Sequence, residues 1–296
     1  VTTDAGTGFV HIAPSHGQED FEVGQQFGLE TPFTVDEGGL YYENIPMFAG
    51  EHVYKVHEHV CEEMEKVGAL LARDTIVHSY PHSWRSKAPL IYRNTPQWFI
   101  SMESNDLREK ALKAIDSVRW VPENSKNRMN SMVADRPDWL VSRQRAWGVP
   151  ITVFVHKATN ELLRDEDVND RIAAAVEKTG ADAWYSNDPQ EILGNKYDVE
   201  DYEQVTDILD VWFDSGSTHA FVVENRDDLN RGKGKRSADL YLEGTDQHRG
   251  WFQSSLLESC GTRGDAPYDQ VLTHGFTVDK NGRKMSKSDK NGVDPL

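Results

Sequence analysis

A chain of 296 residues with 49 acidic and 32 basic side chains, hence a formal net charge of -17, is long enough for about two domains with cores of their own. That acidity excludes non-specific nucleic-acid binding over the whole surface, which needs Lys and Arg to neutralise phosphates, so any polyanion has to be met locally. No apolar run approaches the roughly 18 residues of a membrane span and the opening VTTDAGTGFV lacks a secretion-signal pattern, so a soluble, cytoplasmic protein is expected, with the widely separated Cys61 and Cys260 as reduced, packed thiols.

The first predicted element is a strand in TTDAGTGFVHIA, where β-branched residues alternate from the outset. Because the chain opens on Val1 in mid-pattern and closes on VDPL, both ends read as cuts. A helix follows in GEHVYKVHEHVCEEMEKVGAL, with Val53, Val56, Val60, Met64 and Val67 at helical spacing and Gly68 as its stop. Two further helices are predicted in SNDLREKALKAID, on Leu107, Ala111 and Ile115, and in EDVNDRIAAAVEKTG, ending at Gly180. Beyond residue 206, LDVWFDSG and ADLYLEGTDQ each read as a buried strand entering a polar turn, HRGWFQSSLLESCG as a helix, and VLTHGFTVDKNGRK as a last strand with a tight turn at Asn281-Gly282. These elements group as residues 1–80, 81–205 and 206–296.

Strand, helix, strand implies a parallel sheet, in which ligands sit at the carboxyl ends of the strands; Asp214, Glu243 and His274 are thereby expected around one crevice. Glu243 could hold an ammonium or a ribose hydroxyl there, while Asp246 suits a helix cap. Trp212 and Trp251 are ordinarily core residues, but at a strand end and a helix start facing one crevice they would wall an aliphatic pocket. The stretch GRKMSKSDKNG carries Arg283, Lys284, Lys287 and Lys290. Such a run is ordinarily a solvated surface, yet lysines among serines and glycine also suit a mobile loop folding over phosphates, where ammonium groups offset charge on a leaving pyrophosphate.

TPQWF, SRQRAWGVP, LDVWFDSGSTH, YLEGTDQHRGWF and LTHGFTVDKNGRKMSKS occur in that order, and the chain resembles the isoleucyl-tRNA synthetases over essentially its whole length; GTGFVHIAPSHGQEDF resembles their editing domain. The resemblance implies an α/β fold: the second half of a Rossmann-like parallel-sheet catalytic domain, preceded by the C-terminal part of a β-rich editing domain. It implies catalytic roles for Lys284 and Lys287, contact of Lys287 and His274 with ATP, and contact of Glu243, Gln247, Trp212 and Trp251 with the aminoacyl-adenylate. Asp20 and His11 would belong to the editing pocket; on the residues alone, Asp20 is an ordinary surface acid. The substrates implied are isoleucine, ATP with Mg2+, and tRNA(Ile), with a monomeric full-length enzyme and no membrane.

The sequence also departs from that pattern. A His-Ile-Gly-His motif is absent, HIAPSH at His11 to His16 belonging to the editing pattern, and the threonine-rich strand of the editing pocket is absent too, so the segment alone is expected to be inactive. Ser83 and Ser86 stand where some relatives place zinc-binding cysteines; His78 and His82 remain, but Pro81 argues against a helix carrying both, and no metal is expected here, zinc belonging only outside this segment. Asp289-Lys290 replaces the usual apolar residue and glycine, so a different loop exit is expected. The alternatives are a segment of a valine-tRNA ligase and a non-catalytic tRNA- or nucleotide-binding remnant.

Overall fold

The computed structural model describes all residues except 1–3, 5, 84, 85, 230, 233, 234, 288 and 294–296. It divides into two compact units, Val1–Pro96 and Gln97–Leu296. In the first unit, α1 (Gln18–Phe27) ends at Gly28, which is left-handed at φ 66° and donates its N–H back to Gln25 O. α2 (His57–Lys66) is shorter than its apolar spacing predicts, because His52 is bridged to Leu40 and holds the chain before Val56 out of the helix. Of its predicted apolar face, Val56 is buried whereas Met64 and Val67 are exposed. The strand expected at the start is not formed among the described residues, Phe9 being 91% exposed; its positions 2, 3 and 5 lie outside them. Isolated antiparallel bridges, Val35 to Tyr41 and His82 to Pro89 among them, supply the extended pairing outside the helices of this unit.

The second unit runs β1 (Phe99–Ile100), α3 (Leu107–Ser117), β2 (Arg119–Val121), α4 (Ser125–Ala134), β3 (Trp139–Leu140), β4 (Ser142–Arg143) and β5 (Phe154–His156). It continues through α5 (Glu166–Thr179), α6 (Ala183–Ser186), α7 (Pro189–Leu193), β6 (Tyr202–Gln204), β7 (Ile208–Leu209), α8 (Val211–Gly216), β8 (Ala238–Gly244), α9 (Trp251–Arg263) and β9 (Tyr268–His274). Its centre is a parallel sheet of order β2-β9-β8, with Tyr241 opposite Val271 and Val271 opposite Trp120. Those three side chains share one face by strand alternation and join the main core with Leu107, Ile115, Phe252 and Leu256. A second cluster, Phe154, Val168, Ile172, Trp184, Ile192 and Leu193, holds α5, α6 and α7 on the antiparallel β5-β6 pair. The helix expected there forms as predicted: the Asp165 carboxylate accepts the Val168 N–H at 3.2 Å, and Gly180 closes it.

The residues LDVWFDSG correct their predicted strand. Only Ile208–Leu209 pair, with β4, and VWFDSG is helical. Asp210, 5% exposed, accepts the Trp212 N–H at 2.8 Å and so starts α8; a satisfied helix N-terminus outweighs the strand preference of Val-Trp-Phe. The predicted last strand likewise stops at His274, and beyond it Val278 bridges Lys284 in a separate turn.

Candidate active site at the ends of β8 and β9

Parallel pairing sets Glu243 beside Thr273 and Gly244 beside His274, so Glu243 and His274 leave adjacent strands at their carboxyl ends, both exposed. His274 Nδ1–H donates to Gly275 O at 2.7 Å. The chain then makes a 3-10 turn, Thr245–Arg249, pinned from α4 by Arg128 Nη1 donating to Thr245 Oγ1 at 2.6 Å, and enters α9 at Trp251. Gln247 Oε1 accepts the Trp251 N–H at 3.0 Å, so the side chain expected on the adenylate serves here as the helix cap. Asp246, expected as that cap, makes no side-chain cap bond; α9 starts five residues later, too far for it to reach. His248 is fully buried, its Nδ1–H donating to Thr245 O at 2.8 Å, and burial holds its pKa below the ordinary imidazole value.

The two tryptophans differ in their freedom. Trp251 lies flat on Tyr241, ring centroids 3.8 Å apart and planes 8° apart, and its Nε1–H donates to Ser215 O at 3.0 Å. Trp212, on α8 rather than at a strand end, is 42% exposed and lies against Gly250, where an added Cβ would meet two of its ring carbons at 2.9 Å. A glycine at 250 therefore lets the indole close on the backbone before α9, a requirement that no periodicity in the sequence signals. Asp210, which caps α8, also accepts from Arg143 of β4 and ties the start of that helix to the short β4-β7 pair. Arg128, Gly250 and the Asp210–Arg143 pair were not singled out by the sequence; SRQR and the Asp before VWF were the only signals of the last.

Asp214, expected in the crevice, instead lies within α8, its carboxyl pushed above the usual carboxylate range by burial and by Asp210. The lysine loop is a cross-braced turn. Asn291 donates to Asp279 Oδ2 at 3.1 Å and to Lys284 O at 3.0 Å, and Ser286 Oγ donates to Asp289 at 2.7 Å. Hydrogen bonds from the Arg283 N–H, Asn291 and the Asn281 N–H depress the Asp279 pKa. Of the predicted tight turn, only Gly282 takes positive φ, at 75°, and Lys290, at the expected irregular exit, takes φ 51°. Lys284 Nζ lies 3.5 Å from the Phe276 ring centroid and Lys287 is exposed; Ser288 lies outside the described residues.

In the first unit, Asp20 Oδ2 accepts the Ala13 N–H at 3.0 Å, anchoring the HIAPSH turn to α1, while His11 is exposed. His16 is the better-placed imidazole, donating through Nδ1 to Tyr92 O at 2.9 Å and accepting from Thr34 Oγ1 at 2.8 Å. His78 and His82 each turn Nδ1 to a neighbouring carbonyl, of Ser79 and Tyr80. Among the described residues no three His, Cys, Asp or Glu side chains gather as metal ligands would, and no helix is long and apolar enough to cross a membrane. Both cysteines are free.

The family model of the tRNA synthetases class I (I, L, M and V) matches residues 18–296. The chain belongs to the class I tRNA synthetases. Within that family, this synthetase chain is 56% identical over its whole length to the isoleucine--tRNA ligases of Pelagibacter ubique and of Zymomonas mobilis, and it spans about a third, 32%, of each. Among solved structures, the methionyl-tRNA synthetase of Mycobacterium tuberculosis bound by methionyl-adenylate matches 75% of this chain and 34% of its own at a TM-score of 0.40 and 18% identity.

Proposed function

We propose that this synthetase chain supplies the isoleucine-binding wall and the lysine loop of an isoleucine-tRNA ligase. The observation that carries this reading is the convergence of Glu243, Gln247, Trp251 and His274 at the carboxyl ends of two adjacent parallel strands, with Trp212 lying on Gly250 beside them. Whole-length identity to isoleucine--tRNA ligases supports the choice of amino acid. Glu243 would hold the substrate ammonium, and Trp212 with the anchored Trp251 would flank the aliphatic side chain. Gln247, by exchanging its bond to the Trp251 N–H, would reach the adenylate, with His274 near the nucleotide.

In the reaction the isoleucine carboxylate attacks the α-phosphorus of ATP; an oxygen–phosphorus bond forms, the α–β bridging bond breaks, and pyrophosphate leaves with the charge that Lys284 and Lys287 would offset. The isoleucyl group then passes from the adenylate to a hydroxyl of the terminal ribose of tRNA(Ile). Among the described residues no three His, Cys, Asp or Glu side chains gather as Mg2+ ligands would, so magnesium enters this reading only as the counter-ion of ATP. In a full-length enzyme carrying this segment, Lys287→Ala is expected to lower kcat for isoleucine-dependent pyrophosphate exchange at least about 100-fold, with isoleucine KM within about threefold, as for a charge needed mainly in the transition state. Unchanged exchange turnover would remove Lys287 from the site.

One methylene separates valine from isoleucine and is worth only about 1–3 kcal/mol of discrimination, which favours a second, hydrolytic site. We assign part of that site to the first unit on Asp20, with His11 close in sequence. Asp20→Ala should leave isoleucylation within about twofold while valyl-tRNA accumulates; hydrolysis of valyl-tRNA at the parental rate would contradict the assignment.

A further inference from the structure

A second cavity, of about 300 Å³, opens in the second unit between α3, α8, the π-helical turn His219–Glu224 and the middle of α9. Its walls are Ile100, Trp139, Phe213 and Leu257, and its polar groups include His219 and Glu258. Of these only Trp139 also lines the pocket that Trp212 and Gly250 share. The volume matches the lower end of small-molecule pockets, and a predominantly apolar lining with a few convergent polar groups is their usual composition.

Two of those polar groups are unsatisfied. His219 is 1% exposed; its Nδ1–H donates to Gly216 O at 2.9 Å, which leaves Nε2 as a bare acceptor without a partner. Glu258 Oε1 is buried without a partner as well, packed so tightly on Gly216 that an added Cβ there would meet it at 2.2 Å. Buried polar atoms of this kind are uncommon and costly, so an arrangement that retains two in one cavity needs a reason. Each is an acceptor that a bound donor would satisfy.

The charges around them specify which donor. The charge of Asp214 on α8 acts on Glu258 on α9, and Asp210 in turn acts on Asp214. The cations near this row have other partners: Arg143 pairs with Asp210, Arg136 feels Asp210 and donates to Gln253, and Arg263, which lines the cavity and acts on His219, pairs with Glu224 through Nε and Nη2 at 3.0 and 2.7 Å. Tyr241, the remaining ionisable group near Glu258, shares a hydrogen bond with Ser255. Burial, then Asp214, raises the Glu258 pKa to about 9, and burial keeps His219 neutral. The cavity thus has apolar walls, negative surroundings, a free acceptor and a carboxyl that lacks a cation.

We propose that this cavity binds a small primary amine, an ammonium group on an aliphatic or aromatic body of about five to ten carbons, with the ammonium between Glu258 and His219 Nε2. Binding converts a neutral acid into an ion pair: the Glu258 O–H proton is released to solvent, the ammonium keeps its own three, and the carboxylate and imidazole accept them. A carboxylate or phosphate ligand is disfavoured, because Arg263 is already neutralised.

The test is calorimetric titration of the chain with cyclohexylmethylamine and, as a neutral isostere, cyclohexylmethanol, at pH 7.5 in phosphate and in HEPES, neither of which is a primary amine. The amine should bind at least about tenfold tighter than the alcohol and release about one proton per site, read from the difference in heat between the buffers. Glu258→Gln, close in shape, should abolish the proton release and the preference for the amine. Equal affinities, amine binding without proton release, no saturable binding, or a Glu258→Gln variant that still discriminates would each overturn the proposal. Should that variant fail to fold, the proton count of the parent chain decides alone. Competition by isoleucine would place the amine in the strand-end crevice instead and would equally contradict it.

Discussion

The two units handle apolar side chains differently. In the first, α1 buries Gly24 and α2 buries no residue, while Phe9, Phe27, Leu71 and Val77 are all more than two-thirds exposed. In the second, α9 alone buries Phe252, Leu256, Leu257 and Cys260, and is wrapped by α3, α8 and the sheet. Burial of apolar area supplies most of the folding free energy, at about 25 cal/mol per Å², so stability is concentrated in the unit that carries the strand-end crevice. A site that has to hold Glu243, Trp212 and Trp251 in fixed relation belongs on such a rigid body.

The two free cysteines report on this contrast, one from each unit. Cys61 on α2 is half-buried and Cys260 on α9 is buried, its thiol pushed up to about 12 by burial. A chromogenic disulfide reagent should modify Cys61 at least about 100-fold faster than Cys260 in native buffer, and Cys260 only after global unfolding in urea. Equal rates would erase the contrast. A smaller effect sharpens it, because Glu258 gives the second unit a pH dependence of its own. Its carboxyl ionises at about 9 in the folded state against an ordinary 4.5, so the folded state holds the extra proton between those values and stability falls as pH rises from about 5 to 9. The unfolding free energy read from the urea midpoint for Cys260 labelling should drop over that range, by an amount on the order of a few kcal/mol, whereas Glu258→Gln flattens the drop. Cys61 labelling should show no such dependence on Glu258; a midpoint for Cys260 that does not move with pH would place Glu258 in solvent.

How far the sequence reached follows the same division. The β8-α9-β9 run was legible because its apolar strands, polar turn and helix are contiguous, and parallel pairing then placed Glu243 and His274 at adjacent ends without further information. β2 was not legible: three residues cut off by Pro122 form a strand only by pairing with β9, about 150 residues away. α8 was misread because Val-Trp-Phe has strand propensity and its helix depends on the Asp210 carboxylate. In the lysine loop the charges were visible, but the bracing by Asp279, Ser286 and Asn291 was not, since it joins residues three to twelve apart in irregular backbone. Neither Trp212 on Gly250 nor the Glu258 cavity has a periodic signature. Both depend on how closely α8 approaches α9.

The claim at the centre is that the carboxyl ends of β8 and β9 recognise isoleucine through Glu243. In a full-length enzyme carrying this segment, Glu243→Gln should raise isoleucine KM in pyrophosphate exchange at least about tenfold while ATP KM stays within about twofold, since the lost charge faces the substrate ammonium. An unchanged isoleucine KM with normal turnover would mean that the ammonium is held elsewhere and that the strand ends are not the amino-acid site.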